Sequence, residues 1–245
     1  MRELSDPAEL SRIPDLEVEV WGSGDPVPTH MLVVIARTGG VVLVAHPPAD
    51  PDLWYGFAIA MLARDEEGLV LHSHEVGTRA PYRSLGVGRR LKEAEWAWAQ
   101  AHDLPRIEWT FDPLQSRNAW FNIRRLGARV KAYYPDYYGR LGDLLSRERP
   151  SDRLLMVWRG EDPAPEPEDV ARAIEIPGSI LELEDRDAAA AVREVERVRA
   201  EFLDAFADGL SVVGFRRDGP AYLLGRAEAS GKGRPRNGGH DGDYD

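Results

Sequence analysis

The stretch that decides the fold covers residues 68–90 and reads GLVLHSHEVGTRAPYRSLGVGRR. Its first half has the composition of a β-strand that ends near Val76, and an irregular loop then leads into a helix that begins near Val87. The first N–H groups of a helix have no partner within the helix, and the helix dipole adds roughly half a positive charge there. Since Gly86 and Gly88 let an anion approach the backbone closely, this junction predicts a pyrophosphate site.

Three arginines surround these glycines and add charged hydrogen-bond donors: Arg83, Arg89 and Arg90. Two other phosphate-binding motifs do not fit. A P-loop needs Gly-Lys-Ser/Thr, which the sequence lacks, and a dinucleotide-binding fingerprint needs a third glycine where this chain has Leu91. The alternative to anion binding is a tight strand-to-helix turn that binds nothing.

The surrounding pattern predicts an α/β (α+β) fold with a mixed, mostly antiparallel sheet flanked by helices. Alternating or β-branched residues predict strands over 15–21, 30–37, 41–46, 57–64, 68–76, 106–111 and 154–158, with a Thr-Gly-Gly hairpin turn after residue 37. Helical spacing predicts helices that begin near residue 5 and extend over 87–101 and 116–126. The aromatic segment 131–139 has no predicted strand or helix.

The C-terminal third predicts a small additional unit. We expect a first domain over residues 1–160, a small α/β appendage over 161–227 and a disordered Gly-rich tail over 228–245. The appendage contains one long predicted helix over 185–207 and three short predicted strands. A unit of about 65 residues buries too little surface to be comfortably independent, so we expect it to pack on the first domain or on a second subunit of a homodimer.

Composition excludes several classes of protein. The 245 residues include no cysteine, which excludes disulfides, thiolate metal sites and a cysteine nucleophile. The 31 Lys and Arg against 42 Asp and Glu give a net charge of −11, which argues against a nucleic-acid partner. The N-terminus lacks an apolar signal segment, and no apolar run approaches the ~20 residues of a membrane span. We therefore predict a soluble cytoplasmic protein with no membrane partner.

The sign of the charge differs between two segments of the chain, which the net charge does not show. Residues 79–131 contain 11 Lys and Arg against 5 Asp and Glu, whereas residues 161–210 contain 5 against 15. A basic segment around the glycine-rich loop is what capture of a polyanionic ligand requires.

The motif Arg-x-x-Gly-x-Gly in residues 82–88 resembles the acyl-CoA-binding loop of the GNAT-type N-acyltransferases. The resemblance implies acetyl-CoA, or another acyl-CoA, as co-substrate, no metal, and direct transfer of the acyl group to a primary amine of a small molecule. It also implies which residues hold the pantetheine arm and the pyrophosphate: Val76, Gly77, Arg83, Ser84, Leu85, Gly86, Val87, Gly88 and Arg89.

The resemblance extends beyond this loop. Residues 126–128, Leu-Gly-Ala, resemble the Leu-Gly-Phe that ends the second cofactor-side helix of that fold, where Asn118 and Asn122 either reach the cofactor or cap and pack. At the level of fold it covers about residues 1–160. Three phrases, over 72–76, 109–114 and 151–153, look like a bacterial branch that also carries the appendage.

Two positions depart from the superfamily pattern. Ile123 stands where the superfamily often has a tyrosine that protonates the leaving thiolate, and Ser116 stands where it usually has an asparagine. In the tyrosine cluster at 133–138 we select Tyr138 as general acid, because Gly139 gives the chain room to turn. The alternative for this cluster is a packed aromatic corner.

Glu75 is the candidate general base, since a carboxylate at the end of this strand lies beside the thioester that the resemblance implies. The alternative is a salt-bridged acid at a strand end. Alternation puts Glu75 and His74 on opposite faces and His72 with His74 on one face. We interpret both histidines as packing residues, with His74 as an alternative base. Asp152 and Arg153 are interpreted as a structural ion pair, and the alternative is an acceptor carboxylate clamp.

Other functions stay open at this point. The isoleucine in place of the tyrosine is consistent with a catalytically degenerate module that binds or senses CoA. Arginines near the site are consistent with a succinyl-CoA-dependent amino-acid N-acyltransferase. The acidic appendage is consistent with a structural or interaction role.

Overall fold

The computed structural model describes residues 1–22, 25–139, 149–161, 163, 167 and 169–226. The strands are β1 (Arg2–Glu3), β2 (Val41–Ala45), β3 (Gly56–Asp65), β4 (Gly68–Thr78), β5 (Ile107–Phe111), β6 (Arg129–Tyr134), β7 (Arg153–Trp158), β8 (Arg172–Glu175), β9 (Ser211–Arg216) and β10 (Ala221–Gly225). The α-helices are α1 (Pro7–Leu10), α2 (Ile13–Trp21), α3 (Thr29–Arg37), α4 (Val87–Ala101), α5 (Ser116–Trp120), α6 (Ile180–Arg186) and α7 (Ala188–Ala207). A π-helical turn over Phe121–Leu126 continues α5.

Seven strands form a mixed sheet in the order β1-β2-β3-β4-β5-β7-β6, and three form a second sheet in the order β8-β10-β9. The pairs from β1 to β4 are antiparallel, whereas β4 and β5 are parallel. All five residues of β2 are buried, which requires cover on both faces of the sheet. α3 and α4 both contact β2 and β3. The predicted fold class, a mostly antiparallel mixed sheet flanked by helices, is confirmed.

By packing, the described chain divides into two units. The first contains residues 1–109 and 157–161, and the second contains 110–139, 149–156 and the described residues after 162. The core of the first unit joins apolar side chains of α1, α2 and α3 to the inward residues of β2 and β3: Leu10, Ile13, Leu16, Leu32, Ile35, Val42, Val44, Phe57 and Ile59.

Two of the predicted strands are wrong. Residues 15–21 belong to α2 and residues 30–37 to α3. In α2 the buried residues are Ile13, Leu16 and Glu17, which follow the i, i+3, i+4 spacing of one helix face, while the apparently core-forming Val18 is 43% exposed. Because one of the buried residues of α2 is a glutamate, the hydrophobic residues of this segment follow the alternation of a strand.

The Thr-Gly-Gly turn also has a different role. Gly39 adopts φ +92° and the N–H of Gly40 donates to the carbonyl of Ile35, so these residues end α3 instead of joining a hairpin. The remaining predicted elements of the first 126 residues are confirmed within a few residues: the helix start near residue 5, the strands at 41–46, 57–64, 68–76 and 106–111, and the helices at 87–101 and 116–126.

The second unit packs the C-terminal elements on residues 110–139 and 149–156. Phe202 of α7 stacks on Tyr133 of β6 with 5.1 Å between ring centroids, and the Tyr222 hydroxyl donates to the carbonyl of Pro113 at 2.7 Å. The predicted helix over 185–207 is confirmed as α7 over Ala188–Ala207, whereas residues 185 and 186 end α6. The two helices are separate because Asp187 is extended and its carboxylate caps α7 by accepting from the N–H of Ala190. β6 was not predicted.

The domain boundary predicted near residue 160 stays a prediction. The predicted tail, 228–245, lies outside the described residues.

Candidate functional site

β4 has one open edge in the part of the chain that the structure describes. It pairs with β3 along its whole length, but it pairs with β5 only at Leu71–Ile107 and His72–Glu108. β4 therefore extends over residues 73–78 beyond the end of its pairing with β5. Backbone N–H and C=O groups along an open edge are available to an extended ligand, in the way that an added strand would use them.

A β-bulge lies at the start of this open edge. Ile59 pairs with Glu75 and the next residue of β3, Ala60, pairs with Ser73, which leaves His74 as the extra residue. The bulge interrupts the alternation, and His74 Nε2 lies 3.6 Å from Glu75 Oε1. The prediction that these two side chains point to opposite faces is therefore wrong. Partial burial lowers the pKa of His74, and the neighbouring His72 lowers it further.

Glu17 of α2 is a buried acid. It is 3% exposed, and its Oε2 accepts the N–H of Val27 at 2.8 Å. Burial raises the pKa of Glu17 to about 7, although hydrogen bonding with Val27 and Glu75 opposes the rise. The sequence analysis missed this residue, because it assigned residues 15–21 to a strand; the Ile13–Leu16–Glu17 spacing was the available signal.

A buried polar cluster lies against β4 immediately before the bulge. Lys92 Nζ of α4 donates to Ser73 Oγ at 2.7 Å, and Ser73 Oγ donates to Glu95 Oε1 at 2.7 Å. Lys92 also lies 3.1 Å from Glu95 Oε2 and 3.9 Å from the centre of the Trp109 ring. Burial lowers the pKa of Lys92 and raises that of Glu95. This cluster fixes the strand residue next to the bulge.

The glycine-rich loop is exposed and has two residues in the left-handed region. Ser84 has φ +67° and Gly86, the N-cap of α4, has φ +78° with no side-chain hydrogen bond at the cap. A Cβ at Gly86 would meet no atom within 4 Å, so the backbone conformation, and not crowding, calls for glycine there. Leu85 is 66% exposed, and Val87 is buried. The unpaired first N–H groups of α4 thus face an open surface.

The arginines of the loop have protein partners. Arg83 donates to the carbonyl oxygens of Thr78 and Val20, both at 3.3 Å, and Arg89 Nε donates to Glu93 Oε1 at 2.8 Å. These contacts are exposed, so the guanidinium groups can exchange them for an anion at little cost.

Packing explains why residue 77 is a glycine. A Cβ there would lie 2.5 Å from Cε1 of Phe57 and 3.1 Å from the Trp21 ring. Phe57 and Trp21 make an edge-to-face pair with 5.3 Å between ring centroids. The missing side chain lets β4 approach this pair closely, and the role of Val76 and Gly77 in holding pantetheine stays a prediction.

The other predicted residues belong to the second unit. Asn118 is exposed on α5, while Asn122 is 4% exposed in the π-helical turn, and its carbonyl accepts the N–H of Ala128 at 2.9 Å. Ile123, which stands at the superfamily's tyrosine position, is buried. π-helical turns are frequent at functional sites.

Tyr138 has a polar neighbour for its hydroxyl group. Its Oη lies 2.9 Å from Thr110 Oγ1 at the end of β5, and its N–H donates to Ser151 Oγ at 2.8 Å. The Arg153 guanidinium lies 5.2 Å from the ring centre. The tyrosine is 40% exposed, so the phenol is both held and accessible.

Asp152 is structural, but its partner is not Arg153. Its carboxylate accepts from Arg199 Nε at 2.8 Å and Nη2 at 2.5 Å, and from the Tyr133 hydroxyl at 2.5 Å. Arg153 donates instead to the backbone carbonyl of Asp152. The predicted Asp152–Arg153 ion pair is therefore wrong, since a bidentate pair with α7 replaces it.

The structure thus brings together Glu75, its neighbour Glu17 and the open edge of β4 within the first unit. Asn118, Asn122 and Tyr138 lie in the second unit. In the described part of the chain, no group of three or more His, Asp or Glu side chains is arranged to hold a metal ion. None of the described helices has the length and apolar character of a membrane span.

Solved structures with a similar fold include several acetyltransferases. The ribosomal-protein-S18-alanine N-acetyltransferase of Escherichia coli aligns with a TM-score of 0.51 at 13% identity, over 67% of this chain and 95% of that one. An acetyltransferase of the GNAT family from Desulfovibrio desulfuricans aligns with a TM-score of 0.50 at 15% identity, over 65% of this chain and 98% of that one. Arabidopsis thaliana NAA60, in complex with a bisubstrate analogue, aligns with a TM-score of 0.50 at 15% identity, over 64% of this chain and 96% of that one.

These alignments establish that the chain has a GNAT-type fold, as the glycine-rich loop predicted. About a third of the chain lies outside each of them. No family model matches the sequence, and no curated protein matches it.

Proposed function

We propose that this protein is an acyl-CoA-dependent N-acyltransferase that moves an acetyl or other short acyl group to a primary amine of a small molecule. The observation that carries the proposal is the open edge of β4 over residues 73–78, which contains Glu75 and is followed by the loop that ends at the exposed N-terminus of α4. An extended pantetheine arm matches such an edge, and a pyrophosphate matches such a helix end.

Glu75 is the base in this proposal. The carboxylate takes a proton from the ammonium of the acceptor, and the nitrogen lone pair attacks the thioester carbonyl to form the C–N bond. The C–S bond then breaks, and the thiolate takes a proton from a general acid. The nitrogen releases its second proton as the neutral amide forms, and this proton replaces the one that the acid has given. Tyr138 is our candidate for that acid, because its hydroxyl is held by Thr110 and accessible.

Thermal-shift measurements test cofactor binding. Acetyl-CoA or succinyl-CoA is expected to raise the Tm of the wild type, whereas Gly86→Glu puts a carboxylate at the loop and abolishes the shift. Gly209→Glu is the matched control, since Gly209 has φ +76° and open space around its Cβ, almost as Gly86 does. The control has the same backbone strain and added charge and keeps the shift. No stabilisation of the wild type by any CoA species would refute the proposal.

One observation favours a second candidate function. Ile123 is buried where a tyrosine acid is usual, which is consistent with a module that binds CoA without turnover. Release of CoA thiol in the presence of a panel of amines separates the two. Release supports the transferase, and binding without release supports the sensing module. Running acetyl-CoA and succinyl-CoA in parallel identifies the acyl group.

A further inference from the structure

Three arginines in the described part of the chain are buried, and two of them have carboxylate partners. Arg106 pairs with Asp65, and Arg149 pairs with Glu184. The third, Arg153 of β7, is 9% exposed and forms no ion pair with any carboxylate of the described residues. Removing a guanidinium from water without an opposite charge beside it is costly. Arg153 is therefore a buried cation whose charge the described protein groups do not balance.

Two acids contact the segment that carries Arg153, and both bind other groups. The carboxylate of Asp152 accepts two hydrogen bonds from Arg199, and the carboxylate of Asp136 accepts the backbone N–H of Ser151 at 3.0 Å. Arg153 Nη1 donates to the backbone carbonyl of Asp152 at 2.8 Å. Since a guanidinium has five N–H donors, this single bond leaves most of its donors available to a ligand.

The neighbour of the guanidinium is the ring of Tyr138, whose centre lies 5.2 Å away. An aromatic ring attracts a guanidinium without neutralising its charge. Tyr138 is 40% exposed, so the cation lies next to a side chain that reaches the surface. The Tyr138 hydroxyl lies 2.9 Å from Thr110 Oγ1, and one hydrogen bond between two hydroxyl groups leaves one O–H free to donate to a ligand. All three residues belong to the second unit.

We propose that Arg153 binds a carboxylate group of a substrate, beside the hydroxyl group of Tyr138. This inference rests on the proposed N-acyltransferase function and deepens it, because it names a second chemical group that a substrate carries. A carboxylate matches the planar fork of a guanidinium through two parallel hydrogen bonds. Its single negative charge balances one buried cation, whereas a phosphate would bring a larger charge into the same site.

Two parts of the substrates can carry this carboxylate. One is the acceptor, which is then an amino acid with its amine and its carboxylate on the same molecule. The other is the acyl chain, which is then derived from a dicarboxylic acid, as a succinyl group is. Both present the same group to Arg153, and matched pairs of ligands distinguish them.

Isothermal titration calorimetry tests the site without turnover. In the acceptor arm, glycine, L-leucine, L-phenylalanine and L-lysine are each compared with their amides in the presence of CoA. In the acyl arm, succinyl-CoA is compared with butyryl-CoA, which has a methyl group in place of the carboxylate. In the arm that carries the carboxylate, the wild type is expected to bind the acid about 10- to 100-fold more tightly, as hydrogen bonds to a charged group do. Arg153→Met is expected to abolish this preference.

Two further variants control for folding and for general effects of removing an arginine. Arg153→Lys keeps the positive charge but not the planar fork, so it is expected to fold and to lose most of the preference. Arg217→Met is the matched control, because Arg217 is an exposed arginine of the same unit whose guanidinium lies 5.7 Å from the centre of the Trp120 ring. It is expected to keep the wild-type preference. The Tm of each variant without ligand shows that it is folded.

The outcomes separate the two proposals. A preference for acids that the Arg153 variants lose and Arg217→Met keeps supports the inference, and the arm in which it occurs identifies the source of the carboxylate. No preference in either arm, or one that both Arg153 variants keep, refutes it. Thiol release from acyl-CoA tests the transferase function separately. Release without a preference that depends on Arg153 leaves that function intact, whereas such a preference without release refutes the transferase function and keeps the carboxylate site.

Discussion

The buried carboxyl group of Glu17 makes a prediction about stability that needs no knowledge of the reaction. Replacing it with glutamine removes a group whose pKa burial raises from 4.5 to about 7. A carboxyl group with a raised pKa in the folded state keeps its proton longer than in the unfolded chain. Its contribution to stability is complete below about pH 4.5, and it is lost as the pH rises to about 7.

The magnitude follows from the size of the shift. One pKa unit corresponds to about 1.4 kcal/mol, so the rise from 4.5 to about 7 corresponds to about 3 kcal/mol. The free energy of unfolding of the wild type is therefore expected to fall by about 3 kcal/mol relative to Glu17→Gln between pH 4.5 and pH 8. His74 contributes a slope of opposite sign, because its pKa is lowered, and it cancels in the difference since both proteins contain it.

Urea denaturation of both proteins at half-unit pH steps measures this difference, with Asp15→Asn as the surface control. The free energy of unfolding of the control is expected to change with pH in the same way as that of the wild type. A flat difference between wild type and Glu17→Gln across the whole range would show that Glu17 ionises in the folded protein as it does in water, which would contradict the effect of burial.

Three further predictions concern buried groups. Gly77→Ala places a Cβ 2.5 Å from the Phe57 ring and is expected to cost about 1–3 kcal/mol in urea denaturation. Lys92→Met leaves the buried Glu95 without its cation and is expected to lower the free energy of unfolding by about 3–5 kcal/mol. Asp152→Asn removes the carboxylate that binds a partly exposed arginine and a buried tyrosine, with an expected loss of about 3 kcal/mol by thermal or urea unfolding.

Matched variants check each of these. Gly88→Ala, where a Cβ would lie 3.9 Å from Thr78 Oγ1, is expected to be neutral or stabilising, so an equal loss would contradict the packing argument. Adding Glu95→Gln to Lys92→Met is expected to recover part of the loss. For Asp152, a double-mutant cycle with Arg199→Met is expected to show coupling, and additive losses would mean that the two residues do not interact.

The elements around the glycine-rich loop could be predicted because their patterns are local. α4 repeats its buried positions at helical spacing, β3, β4 and β5 are runs of strand-forming residues, and Gly86 sits where its backbone conformation requires glycine. α2 and α3 could not be predicted in this way. The apolar residues of α2 alternate by chance, and α3 is a continuous apolar run that also suits a strand. The residue that completes the buried face of α2 is Glu17, which a hydrophobicity pattern counts as exposed.

The residues of the candidate site also differ in whether the local sequence could predict them. The loop and Glu75 were accessible to sequence reasoning, since their chemistry lies in adjacent residues. The buried Glu17 lies 58 positions before Glu75, and the partner of Asp152 lies 47 positions later on α7. Contacts of this kind depend on the tertiary fold, and no motif in the sequence links their two members.

The packing of α7 on β6 has a consequence for synthesis of the chain. Tyr133 and Phe202, which stack on each other, are separated by 69 residues, so the ribosome exposes the tyrosine well before its partner emerges. The first unit has most of its residues by position 109 and can begin to fold early. The second unit folds later, and the face of β6 that α7 covers stays exposed for several seconds at ordinary rates of translation. In a growing cell this interval is when the protein is most exposed to chaperones and proteases.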